Sequence, residues 1–282
     1  MQHKYGHFRT PDGLELYEQH WVPESTPKAL LAVIHGLGEH SGRYADFAAW
    51  FVPQDYAVYA FDHRGHGQSP GQRGHIDDWA EYRGDVRVFL ENVDEWAAEV
   101  PLFLVGHSLG ALITLDYALH YPQGLAGVVA SGPPLGRGDD VSPVLMFIGK
   151  VLSNITPKAE MQSGLKAESL SRDENVVQAY RDDPLVHGLV TPRFAAQMDT
   201  TMKRTMKAAP EWKSDLPLLI VHGGDDPICP PEASARFFER VAAEDKTRHE
   251  YPGYLHEVFN EVGREKVLED VRVWLDAHIN GA

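Results

Sequence analysis

A serine placed between a predicted strand and a predicted helix constrains this chain more than any other feature. Residues 101–105 (PLFLV) are short and apolar, as in a buried strand, and the apolar residues of 111–121 recur at a helical spacing. Between them, residues 106–110 read GHSLG and match the pattern G-x-S-x-G. A glycine at each end lets the strand and helix backbones pass close together, so the turn can be very tight. We therefore predict that Ser108 projects from a sharp strand-to-helix turn, where its hydroxyl group can act as a nucleophile.

The rest of the chain alternates predicted strands with predicted helices. Besides 101–105, runs typical of strands lie at residues 30–34, 56–61, 125–130, 218–222 and 247–251. A hairpin that precedes them is predicted around the turn PDG at residues 11–13, and Asp78 with Glu81 resembles the capping box that starts a helix. This order predicts an α/β fold: a mostly parallel sheet with helices on both faces and Ser108 at the carboxyl edge of the sheet.

The alternation breaks after the sixth predicted strand. Residues 133–217 hold three helical stretches and no clear strand, which is far more chain than one crossover requires. We therefore expect a helical lid inserted at residues 134–213, with the core formed by residues 1–133 and 214–282.

Two apolar features of the expected lid are consistent with a lipid ligand. One is the run VLMFI at residues 144–148, and the other is a four-residue stripe made of Phe194, Met198, Met202 and Met206. Flexible methionines adapt to acyl chains of varied length. The same stripe is also typical of ordinary lid core, so acyl contact by Met198 and Met202 stays open at this point.

Composition limits the partners and the compartment. The chain carries 41 acidic and 26 basic residues, a formal charge of −15, and this sign argues against nucleic acid as a partner. The single cysteine, Cys229, excludes an intrachain disulfide and suits a reducing compartment. The first residues lack the apolar segment of a signal peptide, and no window approaches 18 uninterrupted apolar residues. We expect a cytoplasmic location.

A serine nucleophile needs a histidine to take its proton and a carboxylate to orient that histidine. On a fold with this turn, the carboxylate and then the histidine follow the serine in the chain. The strand predicted after the lid ends in GGDDP, so Asp225 and Asp226 both qualify as the carboxylate. His256 follows the last predicted strand by five residues, and His249 within that strand is its nearest rival.

The loop after the third predicted strand has a function of its own. Gly36 and Gly38 let the Leu37 N–H approach the site, where it can stabilise an oxyanion together with the Leu109 N–H at the start of the next helix. Gly36, Gly38 and Gly42 also resemble a dinucleotide fingerprint, but they miss G-x-G-x-x-G by one residue.

His63 and His66, three residues apart, have the spacing of a metal pair but lack a clear third ligand, so a tight turn is the better interpretation. The sequence contains no zinc motif. We expect neither a metal nor a cofactor.

Six segments together resemble the monoacylglycerol lipases of the α/β-hydrolase fold. They are HGLGEHSGRY at 35–44, DHRGHG at 62–67, GHSLG at 106–110, DDPL at 182–185, and the segments that contain Asp226 and His256. The resemblance favours Asp226 over Asp225 and implies a triad of Ser108, Asp226 and His256. It also implies that Leu37 and Leu109 supply the oxyanion N–H groups. Glu39 and Arg43 would lie near the polar glycerol end of the pocket, with a structural pair that holds the loop as the alternative.

These residues and this resemblance together predict a cofactor-independent serine hydrolase that cleaves carboxylic esters of neutral lipids. Monoacylglycerol is the expected substrate, and a lysophospholipid or a broad range of esters is the alternative. A silent binding protein on the same fold is a remote alternative, because a fold does not determine a function. The lid is expected to make transient contact with membranes or lipid droplets. The oligomeric state does not follow from the sequence.

Overall fold

The computed structural model describes residues 1–93, 100–136 and 151–279. The ten strands are β1 (Gln2–Arg9), β2 (Glu15–Val22), β3 (Ala29–Ile34), β4 (Tyr56–Phe61), β5 (Leu102–His107), β6 (Gly127–Ser131), β7 (Met161–Gln162), β8 (Leu189–Val190), β9 (Leu218–Gly223) and β10 (Lys246–Tyr251). Eight of them form one sheet in the order β1-β2-β4-β3-β5-β6-β9-β10. The β1–β2 and β2–β4 pairs are antiparallel and all other pairs in this sheet are parallel. This confirms the predicted α/β-hydrolase architecture.

Helices cover both faces of the sheet. They are α1 (Ala45–Phe51), α2 (Ala80–Glu91), α3 (Leu109–His120), α4 (Glu174–Asp182), α5 (Pro192–Ala208), α6 (Pro231–Arg240) and α7 (Arg264–Ile279). Side chains alternate along β3, so that Leu30 joins one core cluster with α2 and α3, whereas Leu31 joins the other with α1 and α7. A strand buried on both faces therefore appears in the sequence as a continuous apolar run.

Local signals in the sequence correspond to observed contacts. β1 and β2 form the predicted hairpin. At the start of α2, Asp78 Oδ1 accepts a hydrogen bond from the Ala80 N–H at 2.8 Å, and Glu81 Oε1 accepts one from the Asp78 N–H at 2.9 Å. These reciprocal bonds resemble a capping box, but the Asp78 side chain bonds the N–H of Ala80 rather than that of Glu81, which donates to the Asp78 carbonyl oxygen.

The segment inserted between β6 and β9 contains α4 and α5, and residues 151–155 are also helical. The expectation of no strand in this segment is wrong, because β7 and β8 form a small antiparallel pair. Two-residue strands are too short to produce a periodic pattern, so the sequence does not reveal them. The run at residues 144–148 lies outside the described residues. No described helix combines the length and apolarity that a membrane crossing needs.

The inserted segment is fastened to the loop that follows β3. The His187 N–H donates to the Gly38 carbonyl oxygen at 2.9 Å, and His40 Nε2 lies 2.8 Å from Asp183 Oδ2. Gly38 has φ +75°, and a Cβ there would lie 2.2 Å from the His187 carbonyl oxygen. A larger residue at this position would therefore separate the insert from the loop.

Asp62, which follows β4, does not act as the nucleotide-binding acid that a dinucleotide fingerprint needs. It is fully buried, and its Oδ1 accepts hydrogen bonds from both the backbone N–H and the hydroxyl of Ser41. Its Oδ2 accepts one from the Gln68 N–H. The glycine-rich loop leads into a four-residue 3-10 helix rather than a long helix, so this part of the chain does not form a dinucleotide site.

Three fully buried histidines pack together under the same loop. The ring centroids of His35 and His63 are 4.0 Å apart, and those of His35 and His66 are 5.4 Å apart. Each donates to a backbone carbonyl: His35 to Gly36, His63 to His35, and His66 to Arg64. Burial, followed by the neighbouring histidines, holds the pKa of all three well below the usual range. They are neutral structural residues, as the tight-turn interpretation of His63 and His66 predicts.

Candidate active site

Ser108 occupies the turn between β5 and α3 in a strained conformation. Its φ of 53° and ψ of −121° lie in a region that residues other than glycine rarely adopt. The Ser108 N–H donates to the Ser131 carbonyl oxygen at 2.9 Å, which ties the turn to the end of β6. The strain is therefore held by the sheet, and the side chain is only partly buried.

Glycine is required at both ends of this turn. A Cβ on Gly106 would lie 2.4 Å from the Gly110 carbonyl oxygen, and a Cβ on Gly110 would lie 1.9 Å from the Ile34 carbonyl oxygen. Both separations are far inside van der Waals contact. Helix α3 therefore passes directly over β3 and β5, as the G-x-S-x-G pattern predicts.

The structure brings Asp226 and His256 together beside this turn. His256 Nδ1 lies 2.7 Å from Asp226 Oδ2, and both side chains are buried. Asp225 is exposed. His249 lies within β10 with its ring against Tyr251. The geometry thus distinguishes Asp226 and His256 from their nearest rivals.

The charges and hydrogen bonds around the site favour an ionised Asp226 beside a basic His256. Burial tends to raise the pKa of Asp226, but His256, His222 and the Cys229 N–H outweigh burial and hold that pKa below its usual range. Burial also tends to lower the pKa of His256, and Asp226 outweighs it, so the His256 pKa is raised. His256 Nε2 is buried without a hydrogen-bond partner among the described residues. This nitrogen is available to accept a proton.

Ser108 and His256 line a common narrow cleft. The other lining residues are Gly36, Leu37, Glu39, His107, Leu165, Leu170, Tyr180 and Glu257. Leu109 opens α3, and the first N–H groups of a helix have no partner within it. Leu109 itself is not among the lining residues. A hydroxyl and a basic imidazole that line one cleft, next to the first turn of a helix, can carry out acyl transfer by nucleophilic attack.

The methionine stripe lies elsewhere in the described structure. Met198 and Met202 are partly buried and pack against the main core cluster, and neither is among the residues that line the Ser108 cleft. Met202 instead lines a separate groove with Leu135 and Met206. Contact between the stripe and an acyl chain stays a prediction.

Glu39 and Arg43 belong to a buried ion-pair network. Arg43 Nη1 donates to Glu39 Oε2 and to Glu257 Oε1, both at 2.7 Å, and its Nη2 donates to Glu257 Oε2 at 2.8 Å. Glu39 Oε1 accepts from the Gly36 N–H at 2.6 Å, which holds the loop beside Leu37. Burial raises the pKa of Glu39, whereas Arg43 outweighs burial at Glu257 and lowers that pKa to about 2. The network holds the loop, and its carboxylates Glu39 and Glu257 line the cleft, whereas Arg43 is not among the lining residues.

Two residues near the triad were not anticipated from the sequence. Glu257 was missed because its partner, Arg43, is 214 positions away. His222 lies 3.2 Å from Asp226 Oδ2 through its Nε2. A polar residue in the otherwise apolar run 218–222 is the one signal that marked His222 as unusual.

Comparison with known proteins agrees with this geometry. Residues 25–263 match the family described as "Serine aminopeptidase, S33". The monoacylglycerol lipase of Mycolicibacterium smegmatis is 37% identical and covers 95% of each chain. The monoacylglycerol lipase structure from Paleococcus ferrophilus aligns with a TM-score of 0.85 and 36% identity, over 94% of this chain and 99% of that one. A soluble variant of the Saccharomyces cerevisiae monoglyceride lipase aligns with a TM-score of 0.88 and 26% identity, over 98% of this chain and 95% of that one. The chain belongs to the monoacylglycerol lipase-like family of α/β-hydrolases.

Proposed function

We propose that the protein hydrolyses monoacylglycerol to a fatty acid and glycerol through Ser108, His256 and Asp226. The observation that carries this proposal is the orientation of His256. Its Nδ1 is bonded to Asp226, its Nε2 has no described partner, and the residue lines the cleft that holds Ser108. Such an imidazole is held in the tautomer that can take a proton from a serine.

The reaction proceeds in two halves. Ser108 Oγ attacks the ester carbonyl as its proton moves to His256 Nε2, and the Leu37 and Leu109 N–H groups bind the oxygen that becomes negative. His256 then gives the proton to the leaving glycerol oxygen, which leaves an acyl-serine. Water attacks this ester with its proton taken by His256, and the fatty acid departs as Ser108 regains its proton. Each oxyanion donor contributes about 100- to 1000-fold in rate.

The polar end of the cleft supports a neutral alcohol. Glu39 and Glu257 share the cation Arg43, so a phosphate head group would meet no spare positive charge among the described residues of this network. Because Arg43 bonds both carboxylates, neither is left free for the ammonium group of a peptide, as an aminopeptidase would need. The whole-chain charge of −15 also fails to attract anions. Uncharged glycerol hydroxyls fit this network better than a phosphate or an ammonium group does.

A substrate panel tests the proposal. We expect monoacylglycerols to be hydrolysed with a higher kcat/KM than lysophosphatidylcholine or short p-nitrophenyl esters, all kept below micelle formation. Alanine p-nitroanilide, a probe of aminopeptidase activity, should not be cleaved. Faster turnover of lysophosphatidylcholine would establish the lysophospholipase alternative instead, and equal rates on all esters would indicate a broad carboxylesterase.

We also propose that residues 134–213 act as a lid on a core of residues 1–133 and 214–282. Leu165, Leu170 and Tyr180 of this segment line the cleft opposite Ser108, which supports the proposal. Val151, Ile155 and Met161 expose apolar surface on the same segment, in keeping with transient contact with a membrane or lipid droplet. The single cysteine supports a cytoplasmic location.

Substitution of the methionine stripe tests whether it contacts the acyl chain. Each buried methylene contributes about 0.8 kcal/mol, so long chains that reach the stripe gain affinity that short ones do not. The double variant Met198→Ser, Met202→Ser should then lower kcat/KM for long-chain monoacylglycerols roughly tenfold more than for short esters. Met161→Ser, at an exposed methionine of the same segment, is the control. Equal losses on both substrates would place the stripe in the lid core.

A further inference from the structure

We propose that His222 is a positioning residue for the catalytic reaction, a second histidine that holds the carboxylate of Asp226 in place for His256. This inference rests on the proposed function, since it assigns a task within the same triad. His222 lies near the end of β9 and is fully buried. It contacts neither the substrate cleft nor Ser108 in the described structure, so it would act through Asp226.

The Asp226 carboxylate accepts four hydrogen bonds. Oδ1 accepts from the Ile228 N–H at 2.8 Å and the Cys229 N–H at 2.9 Å. Oδ2 lies 2.7 Å from His256 Nδ1 and 3.2 Å from His222 Nε2. The two imidazoles therefore share one oxygen. Without His222, that oxygen would be held by His256 alone, while Oδ1 would keep its two backbone donors.

The surroundings of His222 determine which nitrogen carries the proton. Both neighbours of Nε2, Asp226 Oδ2 and the Cys229 carbonyl oxygen at 2.9 Å, are acceptors, so Nε2 is the donor. Nδ1 lies 2.8 Å from Ser234 Oγ in the first turn of α6. The single hydroxyl proton of Ser234 is then donated to this unprotonated Nδ1 rather than to the Pro231 carbonyl oxygen, which also lies 2.8 Å from Oγ. Ser234 thus fixes the ring, and the ring presents Nε2–H to Asp226.

The position of this N–H affects both the orientation and the basicity of the pair. A donor on Oδ2 draws electron density away from the bond to His256. With that donor removed, Asp226 would stabilise the His256 imidazolium more strongly, so His256 would bind its proton at higher pH. The other groups that act electrostatically on His256 are Glu257 and Glu39, and its ring also packs against His107. A loss of carboxylate orientation would lower kcat more than it raises KM, because it acts on proton transfer rather than on substrate binding.

Two variants of His222 separate the effect of its hydrogen-bond donor from the effect of its side-chain volume. In His222→Gln the introduced amide can place an N–H where Nε2 stood, whereas His222→Leu fills a similar volume without a donor. We expect His222→Leu to lower kcat at least about tenfold with little change in KM. The acid limb of its kcat/KM profile should rise by about half a pH unit. His222→Gln should recover most of the activity and the native profile.

Controls distinguish this inference from the proposed function and from misfolding. If Ser108→Ala keeps its activity, the proposed function fails whatever the His222 variants do. If Ser108→Ala is inactive while His222→Leu has a native kcat and acid limb, only the role of His222 is wrong. Equal losses in the two His222 variants, with matching losses of thermal stability, would also overturn it by showing a structural role.

Should His222→Leu fail to fold, Ser234→Ala is the second test. It frees the ring without touching Asp226 and should shift the acid limb in the same direction.

Discussion

Replacement of Ser108 by alanine should abolish ester hydrolysis, with a fall in kcat of roughly 10⁴- to 10⁶-fold. The variant should remain folded, because alanine at φ 53° is no more strained than serine and the change removes a hydroxyl alone. His256→Ala should cost about as much, and the double variant should be no worse than either single one. Members of a triad act as a unit, so their losses do not add. The measurement is single-substrate kinetics with the monoacylglycerol that the substrate panel shows to be best.

The adjacent aspartates provide a matched control for this result. Asp226→Asn should reduce kcat by about 10⁴-fold, because an amide at this position favours the wrong tautomer of His256. Asp225→Asn should change kcat less than about threefold, since Asp225 is exposed and its N–H, rather than its carboxylate, bonds to the Tyr254 carbonyl oxygen. A large loss of kcat in Asp225→Asn together with a small loss in Asp226→Asn would assign the orienting role to Asp225. Retention of a tenth of the activity by Ser108→Ala would rule out the mechanism.

Mild acid should destabilise the fold steeply through His35, His63 and His66. Their pKa values lie well below about 6.5, the usual value for an unfolded chain, so between these values the unfolded state binds more protons than the folded state. The stability that they contribute is present above pH 6.5 and is lost as the pH falls. Each group accounts for about 1.4 kcal/mol per pH unit and the three together for about 4. By pH 5 the loss from these three histidines is on the order of several kcal/mol, a large part of the stability of many domains.

The surroundings of these histidines strengthen the effect. His35 also faces His40 and His187, His63 faces Arg64, and His66 faces His187 and Arg73. His107, whose pKa burial and then His256 lower to about 3, adds a loss of the same sign. His256 has a raised pKa, so its contribution is already complete below pH 6.5 and does not offset the loss.

Urea unfolding at several pH values between 5 and 7 measures this slope. We expect the free energy of unfolding to fall by about 3 kcal/mol per pH unit near pH 5.5, because Asp85, whose pKa burial raises to about 6, takes up a proton in the folded state and offsets part of the loss. His66→Asn, which keeps a donor for the Arg64 carbonyl oxygen, should reduce the slope by about 1.4 kcal/mol per unit. His120→Asn, at a histidine that is more exposed, is the control substitution. A slope that corresponds to one proton or fewer would show that the three buried histidines do not titrate as described.

The parts of the site that the sequence predicted are those with local causes. The sequence predicts Ser108 because a strand, a five-residue turn and a helix are consecutive in the chain. The turn needs glycine because a Cβ at Gly110 would lie 1.9 Å from the Ile34 carbonyl oxygen. His256 and Asp226 were found from their places after two strands. Choosing Asp226 over Asp225 needed the family resemblance, since burial is a property of the folded loop.

Contacts that depend on the folded path of loops and strands could not be derived from the sequence. The bond from His222 to Asp226 depends on how the loop after β9 turns back toward its own strand. The position of Arg43 between Glu39 and Glu257 depends on two loops that meet only in the folded chain. The short strands β7 and β8 depend on tertiary pairing rather than on any pattern of their own.

The inserted segment is bonded to both walls of the cleft, and this has a practical consequence for protein engineering. His187 bonds the loop that carries Leu37, and the Leu170 carbonyl oxygen accepts from the N–H of Glu257, the neighbour of His256. A chimaera that exchanges the whole insert with a relative's would replace the supports of the oxyanion loop and of the histidine loop together. Specificity grafts should therefore end before Leu170, or else transfer the two supported loops with the insert.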